Sequence, residues 1–165
     1  MSPNVLPSFR ESLVGAWQLV SCTETDAATG ETFLPMGPSP RGLILYTADG
    51  YMSAQLSSPD RPGFKSGDMY TGTPNEYLVA GRSYLAYSGP YYVDETGPLI
   101  VHEMFVSLFP NWQGQQQMRI ARLTHDQLHL SPDRPHLFNG SLKSALIVWR
   151  RAPTNNVIRL QQLRA

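Results

Sequence analysis

A single cysteine, Cys22, stands in a chain of 165 residues. One thiol cannot close an intramolecular disulfide, so the fold must be held by packing and hydrogen bonds, which suits a reducing compartment. Cys22 follows an apolar, Trp-containing run with no histidine beside it, and reads as an inert core thiol rather than a nucleophile. Excess charge is missing too. Thirteen basic residues balance thirteen acidic ones, for a formal net charge of zero. Such a chain offers no electrostatic footprint for nucleic acid or an anionic membrane surface. No apolar run approaches the roughly 18 residues of a membrane-spanning helix. The start, "MSPNVLPSFRES", has no basic stretch followed by an apolar one. No secretory signal is therefore expected, and the cytoplasm is the expected compartment.

Signatures of several chemistries are also lacking. There is no G-x-S-x-G elbow, no P-loop and no G-x-G-x-x-G, which argues against acyl-enzyme chemistry and nucleotide cofactors. There is no H-x-H, H-E-x-x-H or Cys/His cluster, so no metal site is expected. Any catalysis should be cofactor-free, by positioning plus one or two acid–base groups.

What is present is strand. Apolar residues make up 41% and charged residues 16%, the balance of a globular chain able to build a core. "LVGAWQLVSCTET" mixes β-formers and ends at the turn "AATGE". "GLILYT" and "YMSAQL" flank Asp49-Gly50, a hairpin signal, because glycine accepts the positive φ of a tight turn. "SSPDRPGFKSGDMYTG" reads as an ordered loop or a lid. A helix is expected over residues 74 to 84, with Thr73 as N-cap, Pro74 in the first turn and Glu76 toward the helix dipole. Strands resume in "YSGPYYVD", "LIVHEMFVSLF", "QQQMRIARL", "LHLS" and, after a loop "PDRPHLFNG", in "SLKSALIVWRR". With no repeat or linker, the chain reads as one domain, 1–165, with a barrel core at about 13–151 and a tail, 152–165, of weak helical pattern. Eight or more short strands joined by hairpins predict an all-β fold, most simply an antiparallel up-and-down barrel with one short helix. About eight strands leave an interior wide enough for side chains or one small ligand.

Gly15-x-Trp17 on the first strand resembles the lipocalin G-x-W signature. The wider set "VGAWQLVS", "RGLILYTADGYMSAQL", "YLAYSGPYYVD", "VSLFPNWQG" and "LIVWRR" resembles the lipocalin-like domain family, over about residues 13 to 151. "GYMSAQL" and "SLFPNW" carry most of its specificity. The resemblance implies a lipocalin-like β-barrel with a central calyx for a small apolar molecule. It implies no single reaction, though some relatives accompany natural-product pathways. It also implies that Trp17 plugs the closed end and that Arg150 or Arg151 packs over its ring.

Candidate site residues follow from strand alternation. In "IVHEMFVSLFPNWQG" adjacent side chains face opposite ways, so His102 and Glu103 cannot both line a cavity. His102 shares its face with Ile100, Met104 and Val106, and is expected inside. Partial desolvation there should keep it neutral, fit for acid–base work, ligand contact or a core hydrogen bond. Tyr87 and Tyr91 share a face, with Gly89 between them leaving room for a bound group. With His102 they form the candidate catalytic set. Ser53, Gln55, Tyr46, Met104, Val106 and Arg122 are candidate ligand contacts. Pro110 ends its strand for want of an N–H, which leaves Trp112 at a rim, where it is a further candidate ligand contact closing the cavity or else packs a loop. The leading expectation is a cofactor-independent cyclase or isomerase acting on a small polyketide- or terpenoid-like intermediate. A non-catalytic carrier barrel is the alternative, and a filled-core interaction protein a third. A homodimer is left open.

Overall fold

Eight strands pair around a closed circuit, each antiparallel to its neighbours. The computed structural model describes residues 7–154. A short helix α1 (Phe9–Leu13) leads into β1 (Gly15–Asp26), then β2 (Thr32–Phe33), β3 (Arg41–Tyr46) and β4 (Tyr51–Ser57). Helix α2 (Pro74–Arg82) precedes β5 (Tyr84–Asp94), β6 (Leu99–Glu103) and β7 (Val106–Ser107). A 3-10 turn (Pro110–Trp112) precedes β8 (Gln116–Leu123), β9 (Gln127–Pro132), β10 (His136–Phe138) and β11 (Ser141–Arg151). The circuit runs β1-β3-β4-β5-β6-β8-β9-β11 and returns to β1, so no long edge is left open. β2, β7 and β10 add short pairings to β1, β5 and β11. The proposed tail is described only as far as residue 154, and the expectation for residues 155–165 lies outside the described residues.

The turns follow local chemistry. Asp49-Gly50 closes the β3–β4 hairpin, with the Thr47 amide on the Tyr51 carbonyl at 2.9 Å. Asn139 and Gly140 both take positive φ, 49° and 81°, the pairing a two-residue hairpin needs. They turn the expected loop "PDRPHLFNG" into the β10–β11 hairpin. α2 carries the expected capping box between Thr73 and Glu76, and ends two residues earlier than expected, at Arg82. The Gly/Pro-rich segment before it is ordered on the helix: the Lys65 amide donates to Glu76 at 2.8 Å, and Phe64 packs edge-on to Tyr77.

The closed end is built on Trp17, which has no exposed surface. Its indole N–H donates to the Leu13 carbonyl at 2.9 Å, so α1 lies across the barrel base. Of the two candidate arginines, Arg151 caps the ring, its guanidinium carbon 4.0 Å from the ring centroid; Arg150 is exposed. Arg151 also donates to the carbonyls of Ser12, Val14 and His125, tying α1, β1 and the β8–β9 turn together.

Strand β4 shows the usual alternation, with Met52, Ala54 and Leu56 buried. Strand β8 inverts it. Gln117 and Arg119 point inward, while Met118 and Ile120 are 41% and 48% exposed. β11 buries Lys143 and exposes Leu142 and Leu146; β1 buries Glu24 and exposes Val20. Polar side chains enter the barrel on three strands at the end opposite Trp17.

Candidate functional site

That end holds a cavity of about 430 Å³. Its apolar wall includes Leu56, Leu130, Ile147 and Met36, and Phe109 and Trp112 stand at its mouth. Trp112 sits on the 3-10 turn that Pro110 starts, and packs edge-on to Phe109 and to Tyr87, with ring centroids 5.7 and 5.9 Å away. Tyr87 and Trp112 therefore form one aromatic corner of the cavity.

The polar wall comes from the inverted strands. Glu24 lines the cavity and is paired at 3.6 Å with Lys143, both side chains buried. The Lys143 ammonium also lies 4.1 Å from the Phe33 ring centroid. Arg119 reaches the cavity with 7% of its surface exposed and donates to the Gln117 side-chain carbonyl and the Met118 backbone carbonyl. No carboxylate lies within ion-pair distance of it among the described residues. His136 lines the same space; its Nε2 is buried and has no partner among the described residues. Burial, aided by the Arg119 charge, lowers its proton affinity. Cys22 also lines the wall. Burial and the nearby Glu24 push its thiol up to about 11, far from a reactive thiolate.

His102 faces inward as its strand predicts, but it sits one layer behind Tyr87, with ring centroids 5.9 Å apart, and is not part of the cavity wall. It is wholly buried, and its Nε2 is 2.9 Å from the Tyr46 hydroxyl. Desolvation first, and the Arg119 charge second, lower its pKa to about 3, so it is neutral. Its Nδ1 meets no partner among the described residues. Tyr91 is buried against Tyr46, its hydroxyl donating to the Thr47 carbonyl at 2.9 Å near the closed end. Of the three candidate catalytic residues, Tyr87 alone borders the cavity.

The model for the lipocalin-like domain matches residues 14–152. The chain belongs to the lipocalin-like domain family. A relative named 4'-hydroxy-3'-methoxypropiophenone carrier protein, from Aspergillus oryzae, is 34% identical over 108 residues. That match covers 62% of this chain and 97% of the relative. Among solved structures, a lipocalin-like protein from Bacteroides uniformis matches with a TM-score of 0.45 and 15% identity, over 86% of this chain and 99% of its own. A bovine odorant binding protein matches with a TM-score of 0.44 and 9% identity, over 99% and 85%.

Four candidate contacts of this lipocalin-like calyx lie on the wrong face. Ser53 and Gln55 alternate with the buried residues of β4 and point outward, where Ser53 accepts from Ser88 and Gln55 from Tyr84. Arg122 is exposed because β8 is inverted and Arg119 takes the inward position. Val106 is 50% exposed: the strand ends at Glu103, the Phe105 amide turns onto the Glu103 and Ser88 carbonyls, and alternation restarts out of phase. Tyr46 and Met104 are inside but fully packed, away from the cavity wall. Trp112 lines it. The space left by Gly89 is taken by protein. A Cβ there would lie 1.9 Å from the Glu103 carbonyl oxygen, so this glycine admits the β6 backbone rather than a ligand. Sequence reasoning missed Glu24, Gln117, Arg119, His136 and Lys143. For Gln117 and Arg119 the signal was the reversed pattern "QQMRIARL", with polar and apolar residues exchanged between faces.

Proposed function

We propose that this chain is a non-catalytic binding or carrier barrel for a small, largely apolar aromatic molecule of polyketide or terpenoid class, acting in the cytoplasm. The observation that carries the reading is the cavity itself. Its volume, about 430 Å³, falls in the range of small-molecule sites, about 300–1,000 Å³. Its wall is apolar with an aromatic corner and a few polar groups, the usual composition of such sites. The relative named as a carrier of an aryl ketone supports the same class of ligand. An acid–base cyclase or isomerase built on His102 is supported less well. His102 stands behind Tyr87 and its Nε2 is engaged by Tyr46, so a proton would have to cross a packed layer to reach a ligand.

Titration with 4'-hydroxy-3'-methoxypropiophenone, followed by tryptophan fluorescence, tests the proposal. Saturation at one molecule per chain is expected, with most of the signal lost in Trp112→Phe. The ligand should be recovered unchanged by mass spectrometry. No saturable binding across a panel of aryl ketones would sink the reading, and a conversion product would favour the isomerase or cyclase.

A further inference from the structure

The charged residues of the cavity wall are Glu24, Arg119 and the solvent-exposed Arg82, so Arg119 is its one buried cation among the described residues. Glu24 is matched by Lys143 at 3.6 Å, whereas Arg119 is matched by neutral acceptors alone among the described residues. A charge held nine-tenths out of water without a counter-ion is costly, and a fold keeps one where something else compensates. Gln117 fixes part of the guanidinium fork, and further N–H groups remain for a bound molecule. The unpartnered Nε2 of His136 is buried on the same cavity wall. A neutral imidazole can present an N–H there.

We infer that the cavity selects ligands carrying an anionic oxygen on an aromatic or apolar body, with Arg119 as the cation that receives it and His136 as a second donor. This rests on the calyx being a ligand site, and adds what the ligand's polar end must be. Two chemical sources fit: a carboxylate, or a phenol acidified by a para carbonyl whose conjugation spreads the phenolate charge. Arginine's planar fork suits either, and a carboxylate can take two of its N–H groups at once.

Two arms of one experiment separate them. In the first, naphthalene-2-carboxylate and its methyl ester are titrated against the protein at pH 7. The carboxylate should bind about tenfold tighter, the scale of one charge-assisted contact. In the second, the ionisation of bound 4'-hydroxypropiophenone is read by absorbance, and should occur about one pH unit below that of the free phenol. Arg119→Met should erase either effect while the methyl ester still binds, and Arg119→Lys should keep part of it. An effect in the first arm alone supports the carboxylate; in the second alone, the acidified phenol. Ester and carboxylate binding equally, with no shift of the phenol, would overturn the inference and leave the calyx reading standing. An effect that survives Arg119→Met would also overturn it. Failure of every probe to bind would remove both readings together.

Discussion

His102 is the residue whose surroundings most exceed what its neighbours in sequence suggest. Its folded pKa is about 3 against 6.5 when exposed, so between these values the unfolded chain binds a proton that the native state refuses. Stability is then full above about pH 6.5 and falls as pH drops toward 3, at up to about 1.4 kcal/mol per pH unit from this group. His102→Gln should flatten that part of the profile, measured as urea midpoints between pH 3.5 and 7. A difference between wild type and variant that stays constant on acidification would place His102 in water. Trp17 gives a second expectation at this scale. Truncating a fully buried tryptophan costs about 3–5 kcal/mol, so Trp17→Ala should unfold at a much lower denaturant concentration. Arg151→Met should lose less: a cation–π contact of about 0.5–2 kcal/mol and the ties to three backbone carbonyls. A wild-type midpoint in Trp17→Ala would contradict the sealed base.

Strands β5 and β8 each show an element departing from simple alternation for a physical reason. At Gly89 the β6 backbone crosses β5 so closely that any side chain must displace it. Gly89→Ala should lower the melting temperature and speed hydrogen exchange at the Phe105 amide, which donates to the Ser88 carbonyl at 3.0 Å. Unchanged exchange there would mean the backbone can give way cheaply. In β8 the polar residues are inside, an arrangement with little to recommend it for packing. Arg119→Met should therefore hold or raise the melting temperature of the empty protein, since an apolar chain of similar length replaces a buried charge. A marked fall would assign Arg119 a structural role.

At the scale of the molecule, the barrel was legible and its interior was not. Turn glycines, a capped helix and strand-length apolar runs are local signals, and each is decided by a few neighbouring residues. The pairing of Trp17 with an arginine of the last strand came from the family resemblance and not from a local signal, since Trp17 and Arg151 lie far apart in the chain. Which face of β8 is inside is decided by all eight strands together, so the rule that apolar residues face inward sets Arg122, on the face of Met118 and Ile120, where Arg119 belongs; on β4 the same rule holds, and Gln55 was chosen against it for its polarity. The break after Glu103, which turned Val106 outward, leaves no mark in composition. Ligand occupancy should be visible here too. A ligand at a hundred times its dissociation constant stabilises the folded state by about 2.7 kcal/mol, so melting temperature should climb with ligand concentration. A flat response alongside measured binding would mean that the unfolded chain binds equally well.

The pairing of β1 with β11 has a consequence for how the chain is made. Trp17 meets Arg151 across the seam, so the two strands that close the circuit stand at nearly opposite ends of the described sequence. Such long-range pairing carries a large loop-closure cost before it is rewarded, which makes folding slow. During synthesis every other strand of the described residues emerges before β11, and until it arrives β1 and β9 each expose a row of unpaired amides and carbonyls. The nascent barrel is an open, sticky sheet until its last strand leaves the ribosome, and premature termination before residue 141 should yield aggregates rather than a smaller barrel.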